Sequence, residues 1–251
     1  MNERVFYNMD YIFCLLGKSA SGKDTIMNMI MSHKLSKDET FWKSNNITLS
    51  KMVPITSRPP RPSESDGVGY NFLTTEYFRS LISENSLLEY RKYDVKTSDN
   101  KDDVWYYGHR YPSDKFNIMI GTLEAYGNIL KMPIINKYKI IPIYIDVPDE
   151  DRLFRLIGRE NKSPNPNYRE LCRRFFKDNE DFSKENLSML NIDDSCTFDN
   201  IDFTRCLDGV YEYIKNIIKT ELEEKIMSCE CKKNLSPSEI VLEFGIRPLI
   251  S

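Results

Sequence analysis

A glycine-bounded loop near the start of the chain carries the residues best suited to hold phosphate. The stretch GKSASGKDT, residues 17–25, follows one apolar run and precedes another. Glycines at its two ends let the backbone curl so that successive N–H groups point inward at phosphate oxygens. The start of the following helix adds partial positive charge, and Lys23 adds a full one. The pattern therefore predicts a P-loop that binds a nucleoside triphosphate, with a strand before it and a helix after it.

One position in this loop departs from the P-loop pattern. The pattern places Ser or Thr directly after the lysine, where a hydroxyl ligates Mg²⁺, but this chain has Asp24 there and Thr25 one residue later. A carboxylate beside a polyphosphate is either a direct metal ligand or a repulsive charge, and both interpretations stay open. A surface turn without a ligand is disfavoured because both flanks are present. The ATP-binding residues predicted from the loop are Gly17, Ser19, Ala20, Ser21, Gly22, Lys23, Asp24 and Thr25.

A second group of chemically capable side chains lies in a proline-rich segment, residues 57–70. Arg58 and Arg61 are three residues apart, Glu64 follows three later, and Tyr70 comes six beyond that. An arginine fork grips a phosphate monoester through paired hydrogen bonds, which a lysine cannot do. A tyrosine hydroxyl donates a further hydrogen bond to the same oxygens. Because the segment is rich in Pro and Gly, we predict an ordered or lid-like loop.

At this point the sequence resembles the guanylate kinase family. The family pattern T-x-R-x-P-R-x-x-E-x-x-G-x-x-Y, which forms its GMP-binding region, is present at residues 56–70. LLEY at 87–90 looks like the family's F-L-E-W, whose glutamate holds the guanine edge, and WYYG at 105–108 looks like its N-Y-Y-G, whose second tyrosine contacts the acceptor phosphate. RLIGR at 155–159 looks like the lid's R-L-x-G-R, and RRF at 173–175 like the arginine pair after it.

The resemblance covers about residues 11–208 and implies a nucleoside monophosphate kinase that transfers the γ-phosphoryl group of ATP to GMP, with Mg²⁺ as cofactor. The acceptor-binding residues that it implies are Arg58, Arg61, Glu64, Tyr70, Glu89, Tyr107 and His109. The catalytic residues that it implies are Lys23, Arg155, Arg159 and Arg174. The spacing of Arg155 and Arg159 supports this role independently of the resemblance, because residues four apart share a helix face and can bracket a transferring phosphoryl group.

Several of these residues also have a purely structural interpretation. Arg155 could pair with Asp151 one turn earlier, and Glu64 could cap a turn. Arg152 is expected to be solvated, and Tyr106 is expected to pack in a sheet rather than touch a ligand. Taken singly, each structural interpretation is about as strong as the functional one. As an ordered set in family order, the motifs favour the functional interpretation.

Four positions depart from the family pattern. Besides Asp24, Pro54 stands where the family has a serine that bonds the guanine, and His109 replaces the Ser or Thr after Y-Y-G. The family's L-D-I-D segment corresponds to MIGTLE, residues 119–124, which lacks both aspartates and offers only Glu124. The chain thus retains the family's phosphate-binding residues and differs at the positions that contact the base and orient the metal. We hypothesise that Asp24 supplies the missing carboxylate and that Asp24 is the metal ligand.

These departures leave two other functions open. Pro54 and His109 are compatible with a kinase for another small phosphorylated acceptor. Asp24 and the missing aspartates are compatible with a catalytically silent guanylate-kinase-like binding domain. The retained P-loop lysine and lid arginines favour a working phosphotransferase.

Apolar runs place these motifs in an alternating pattern of strands and helices. Residues 11–16, 115–120 and 139–147 are near-continuous apolar strands of the kind that is buried on both faces. Helices follow them, so we predict an α/β fold, a P-loop NTPase-type parallel sheet core with helices on both faces. The small acceptor-binding segment is predicted at about 54–111 and the lid at about 155–170.

Four other predictions concern the boundaries of elements. A strand is expected over residues 47–55, and a charged loop over 94–103 inside a strand pair. Helices are expected over 168–186 and 205–228, the second because its apolar side chains fall on one helical face.

The composition fits one compact domain with a small appendage. The chain has 251 residues and 40% hydrophobic content, which is enough for a core. We divide it into a guanylate-kinase-like domain, residues 1–208, and a C-terminal helix and tail, 209–251. The net charge of −3 argues against general binding to nucleic acid or membrane surfaces, so the expected partners are the small molecules ATP and GMP. The six scattered cysteines and the lack of a secretory signal favour a cytoplasmic protein with reduced thiols.

Overall fold

The computed structural model describes residues 9–33, 39–61, 64–96, 101–133 and 135–233. Its strands, in chain order, are β1 Asp10–Leu16, β2 Leu49–Lys51, β3 Ile55–Thr56, β4 Asn71–Phe72, β5 Leu87–Lys96, β6 Asp102–Arg110, β7 Phe116–Ile120, β8 Tyr138–Asp146 and β9 Thr197–Asp199. Its helices are α1 Lys23–His33, α2 Glu39–Ser44, α3 Thr75–Ser83, α4 Leu123–Leu130, α5 Asp149–Glu160, α6 Tyr168–Asp181, α7 Lys184–Met189 and α8 Phe203–Lys233.

A parallel sheet of order β2-β7-β1-β8-β9 forms the centre of the protein, so the predicted α/β fold is confirmed. The middle strand, β1, is buried along almost its whole length because helices cover both faces. On one face Ile26 and Ile30 of α1 pack with Val210 and Ile214 of α8. On the other face the core includes side chains of β7, α4 and the end of α6, among them Met119, Leu123, Tyr126 and Phe182.

The predicted acceptor segment forms a second sheet, of order β4-β3-β6-β5. The β5 and β6 strands pair antiparallel, with Glu89 opposite His109 and Arg91 opposite Tyr107. Side chains alternate across a strand, so these four share one face. The opposite face packs on α3, where Tyr106 is buried and stacks on Phe78, as expected for a sheet residue.

Three element boundaries differ from the predictions. The strand expected over 47–55 is split, since β2 joins the central sheet and β3 the second one. The helix expected over 168–186 ends at Asp181, because the Ser183 hydroxyl accepts from the Asn186 N–H and starts a new helix. Strand pairing extends into the predicted loop, up to Lys96 and from Asp102.

The C-terminal helix expected over 205–228 is present as α8. Its buried residues face the central sheet, which explains the apolar stripe in the sequence. The tail beyond residue 233 lies outside the described residues. Among the described residues, no helix is both long enough and apolar enough to cross a membrane.

Candidate active site

The predicted P-loop connects β1 to α1 and has the curled backbone that the sequence predicts. Gly22 has a φ of +92°, and a Cβ at that position would lie 2.4 Å from Nδ2 of Asn200. Ala20 has a φ of +64°, which is uncommon for a residue with a side chain. Such conformations persist only where surrounding contacts fix them, and they cluster at ligand sites.

Lys23 begins α1, and its ammonium group lies against the loop that precedes it. The Nζ atom is 3.4 Å from the carbonyl oxygen of Lys18. Burial lowers the pKa of Lys23. The carboxylates of Asp24 and Asp178 oppose this lowering, and the guanidinium groups of Arg159 and Arg152 add to it. A partly desolvated cation attracts an anion more strongly than one in bulk water, so this position suits a phosphate group.

Asn200, which the sequence analysis did not single out, holds the loop from the far edge of the sheet. Its Nδ2 donates to the Ser21 carbonyl at 2.7 Å, and its backbone N–H donates to Asp146 at 2.9 Å. The guanidinium of Arg155 donates to the Asn200 carbonyl at 2.8 Å and approaches the Ala20 carbonyl at 3.5 Å. Arg155 therefore contacts the loop itself, and its catalytic role stays a prediction.

The expectation that Arg152 is solvated is wrong, because its side chain is 0% exposed. Its Nη2 donates to Asp149 at 2.9 Å and to Asn179 at 2.6 Å, and its Nη1 is 3.3 Å from Asp178 Oδ2. The guanidinium carbon lies 4.3 Å from the ring centroid of Phe175. Arg152 thus joins α5 to α6 from inside.

A sequence signal for this burial existed. Leu156 lies one turn after Arg152 and is 3% exposed, so the two side chains share the inward face of α5. An arginine on such a face needs acidic or amide partners. The sequence supplies them in the Asp178-Asn179 pair.

Two carboxylates tie the loop to α5 and α6. The backbone N–H of Ser19 donates to Asp178 Oδ2 at 2.6 Å, and Nζ of Lys18 lies 3.4 Å from Asp149 Oδ1. Neither carboxylate was singled out from the sequence. Ser19 is a predicted phosphate-binding position, and its amide already has an anionic partner, Asp178, in this structure.

In the proline-rich segment, Arg58 and Glu64 form a two-point ion pair. The Nη1 and Nη2 atoms of Arg58 lie 2.6 and 2.7 Å from the two carboxylate oxygens of Glu64. Glu64 also accepts from the Arg61 N–H at 2.8 Å, so it caps this turn as its structural interpretation predicts. Hydrogen bonding to Arg58 lowers the pKa of Glu64 below its ordinary value.

Aromatic rings surround the Arg58 guanidinium. Its central carbon lies 5.2 Å from the ring centroid of Tyr70 and 5.4 Å from that of Phe72. The Tyr70 ring in turn contacts Tyr107, which contacts Tyr93, at centroid distances of 6.0 and 5.6 Å. The structure therefore gathers Arg58, Tyr70 and Tyr107 in one place, as the predicted acceptor-phosphate site requires.

Glu89, predicted to read the acceptor base, is buried beneath other polar side chains. Its Oε1 is 2.7 Å from His109 Nδ1, and its Oε2 is 3.2 Å from Arg91 Nε. Arg91 also donates to the Thr122 hydroxyl at 2.8 Å, which caps α4. The sequence analysis missed Arg91, although strand alternation places it on the same face as Glu89.

The predicted lid arginines differ in their surroundings. Arg159 is exposed, whereas Arg174 is half-buried with its Nε 3.6 Å from Glu170 Oε1. Hydrogen bonding to Arg173 lowers the pKa of Glu170, and the charge of Arg61 contributes to this lowering.

Comparisons with known proteins show which family the sequence resembles. The family model described as guanylate kinase matches residues 10–100. The guanylate kinase of Mycoplasmoides gallisepticum (strain R(low / passage 15 / clone 2)) is 31% identical over 159 residues, which cover 60% of this chain and 70% of that protein. The chain belongs to the guanylate kinase family.

One further relative and one solved structure are also similar to this chain. The guanylate kinase of Clostridium perfringens (strain SM101 / Type A) is 27% identical over 250 residues, or 95% of each chain. A crystal structure of guanylate kinase from Anaplasma phagocytophilum covers 85% of this chain and 86% of that one, with 18% identity and a TM-score of 0.46.

The guanylate kinase family pattern is broken at Gly121 for a visible packing reason. A Cβ at Gly121 would lie 2.9 Å from Sγ of Cys14, a buried thiol whose pKa is raised by that burial. An aspartate could enter here only if Cys14 moved. Glu124, the nearby carboxylate, instead accepts a hydrogen bond from the Tyr93 hydroxyl at 2.7 Å.

Asp24 is the remaining candidate for the metal ligand of this guanylate kinase family member. Its side chain is exposed in the first turn of α1. Among the residues that the structure describes, no group of three or more His, Cys, Asp or Glu side chains could hold a metal ion by itself. Mg²⁺ bound to nucleotide phosphates needs only one or two carboxylates, because water and phosphate supply the rest. A single carboxylate at Asp24 fits that requirement.

Proposed function

We propose that this protein is a guanylate kinase that transfers the γ-phosphoryl group of ATP to GMP, giving ADP and GDP. The observation that carries the proposal is the shared face of the second sheet. There a buried carboxylate, Glu89, shares its face with Tyr107, whose ring contacts Tyr70. A guanine edge presents an N1–H and an amino group as donors, which a carboxylate accepts. In a chain of this family, that arrangement fits GMP better than an acceptor without a donor edge.

Each half of the site has its own task. The loop amides and Lys23 hold the phosphates of ATP, and the exposed Asp24 carboxylate would hold the Mg²⁺ that accompanies them. This ion supplies neutralising charge. Arg58, Arg61 and Tyr70 hold the phosphate of the acceptor together with Tyr107. His109 is 1% exposed and contacts Glu89, so its task is to orient that carboxylate.

The transfer requires no covalent bond to the protein. An oxygen of the GMP phosphate attacks the γ-phosphorus while the bond from that phosphorus to the β–γ bridging oxygen breaks. The electron pair stays on ADP. Positioning and charge stabilisation account for most of the catalysis of such a step. Arg155, Arg159 and Arg174 supply the positive charge around the transferring group, and closure of the lid excludes water.

The free thiols of Cys14, Cys172, Cys196 and Cys206 are compatible with the reducing conditions of the cytoplasm, where we propose that the reaction takes place.

An ADP-release assay across five acceptors tests this function. With ATP and Mg²⁺, we expect turnover with GMP and dGMP and little with AMP, UMP or CMP. Lys23→Ala serves as the inactive control. Absence of acceptor-dependent turnover with all five would overturn the proposal, and equal rates with all five would replace GMP by an acceptor read only through its phosphate.

A further inference from the structure

The P-loop of this structure holds an anion that belongs to the protein. Asp178 Oδ2 accepts the Ser19 N–H at 2.6 Å, across a sequence separation of 159 residues. Inward-pointing amides of a P-loop ordinarily receive phosphate oxygens. A carboxylate oxygen resembles a phosphate oxygen as a charged acceptor, so the bond is a charge-assisted one of the kind a nucleotide would make.

The same carboxylate oxygen also faces a buried guanidinium group. Arg152 Nη1 lies 3.3 Å from Asp178 Oδ2. That oxygen therefore sits between a backbone N–H and an arginine, and the ammonium of Lys23 feels the charge of Asp178. One amide, one guanidinium and one nearby ammonium are the surroundings expected for an oxygen of a bound polyphosphate.

Arg152 does not need Asp178 as its charge partner. Its Nη2 is already bonded to Asp149 and Asn179, and its guanidinium packs against the Phe175 ring. Its Nε has no hydrogen-bond partner in the described part of the chain, although the side chain is 0% exposed. Buried polar atoms are rarely left without a partner. Arg152 is thus held through its Nη2 atom, and its Nε–H remains available as a hydrogen-bond donor.

We propose that Asp178 is an internal stand-in for a phosphate of the donor nucleotide, and that Arg152 is a donor-binding arginine which takes over that phosphate when Asp178 leaves. This inference rests on the proposed function only for the statement that the loop binds ATP. Asp178 and a phosphate oxygen cannot share the Ser19 amide, because two anions at hydrogen-bond distance repel each other. ATP binding therefore displaces the Asp178 carboxylate, and this ties donor entry to helix α6.

Replacement of the competing charge tests the first half. Asp178→Asn keeps the shape of the side chain and removes its charge. Calorimetry without any acceptor should show ATP and inorganic triphosphate binding about tenfold more tightly than to the wild type. Asp181→Asn is the matched control, because Asp181 is on the same helix and pairs with Lys177 instead of the loop. Unchanged or weaker ATP binding in a folded Asp178→Asn protein would overturn the stand-in role.

Arg152 variants test the second half. Arg152→Met keeps the length of the side chain without its charge, and we expect about tenfold weaker ATP binding. Arg152→Lys should recover part of the loss. If Arg152 only joins α5 to α6, both variants will lower the melting temperature and leave ATP affinity as it was.

A structure of the wild-type protein with a non-hydrolysable ATP analogue tests both parts of the proposal without a variant that could misfold. The expected result is a phosphate oxygen on the Ser19 amide and on Arg152, with the Asp178 carboxylate beyond hydrogen-bond distance. A retained bond between Ser19 and Asp178 in that complex would overturn the inference. These binding experiments use no acceptor, so their failure is distinct from a failure of GMP phosphorylation.

Discussion

The predicted donor loop and the predicted acceptor sheet differ in the groups that they offer to phosphate. The donor loop offers its curled backbone, in which the Ser19 amide is bonded to one distant carboxylate. The acceptor sheet uses side chains that hold each other, as in the Arg58–Glu64 pair and the Glu89, His109 and Arg91 cluster. A backbone cradle tolerates a changed side chain such as Asp24. A side-chain network does not, because each member positions the next.

The departures from the family pattern are not confined to one region. Asp24 lies in the donor loop, Pro54 and His109 lie beside and within the second sheet, and Gly121 follows β7 of the central sheet. Arg91 joins the second sheet to the N-terminus of α4 through Thr122, next to the missing aspartates. Substitutions in the two regions should have separable effects on ATP and on the acceptor.

Loss of the loop lysine should give the largest effect. Lys23→Ala removes the ammonium group that lies against the loop, and we expect a fall in kcat of about a thousandfold. Lys18→Ala is the comparison. The ammonium group of Lys18 lies near Asp149, so this variant should retain most of the activity. Steady-state assays with saturating GMP measure both. Equal losses in the two variants would contradict a special role for Lys23.

On the acceptor side, Glu89→Gln should separate base recognition from phosphate recognition. It replaces one acceptor oxygen with an amide donor facing the guanine N–H groups, so kcat/KM for GMP should fall about a hundredfold. The KM for ATP should stay within about twofold, because the donor loop does not use this side chain. A parallel rise in both KM values would mean that the two regions are coupled and that the contrast drawn above is wrong.

Arg58→Lys tests the two-point geometry of the acceptor loop. Lysine keeps the charge but cannot reproduce the paired contact with Glu64 or the fork for phosphate. We expect the KM for GMP to rise about tenfold with a smaller change in kcat. Lys51→Arg, which contacts only the Val68 carbonyl nearby, is a control for altered charge geometry in the same region. A wild-type KM in Arg58→Lys would show that the fork is not needed.

Gly22→Ala tests the backbone nature of the donor cradle. The added methyl group would collide with Nδ2 of Asn200, and the alanine would have to keep a φ of +92°. We therefore expect a loss of about 1–3 kcal/mol in the free energy of unfolding. ATP affinity should fall with it, while GMP affinity should not. Gly69→Ala has open space around its Cβ and serves as the control in chemical denaturation. Equal stability of the two variants would contradict the close approach.

The smallest effect concerns pH. Because the folded-state pKa of Glu64 is lowered from its ordinary 4.5, its ion pair adds stability above about pH 4.5, and this is lost as pH falls through the lower folded value. With screening by solvent, the contribution is about 1 kcal/mol. The unfolding free energy of wild type and Glu64→Gln should therefore differ at pH 7 and converge as the pH falls below the lowered folded-state pKa of Glu64. A constant difference across that range would contradict the linkage.

Features formed by contiguous residues could be predicted from the amino-acid sequence. They are the loop at 17–25, the proline-rich turn with Arg58 and Glu64, and the strand pair carrying Glu89 and Tyr107. Their contacts are local or follow the two-residue period of strands. The parallel sheet followed from alternating apolar strands and helices. The roles of the individual site residues stay predictions until the assays above are done.

Tertiary structure alone decided which distant side chains complete the site. Arg152 is buried rather than solvated because α6 brings Asp178 and Asn179 against it, and Ser19 meets a carboxylate 159 residues away. Asn200 reaches Ser21 across 179 residues. No local pattern encodes such pairs, since a charged side chain can satisfy itself with water or with any partner that packing supplies. Only the packing of α5, α6 and the central sheet selects the partner.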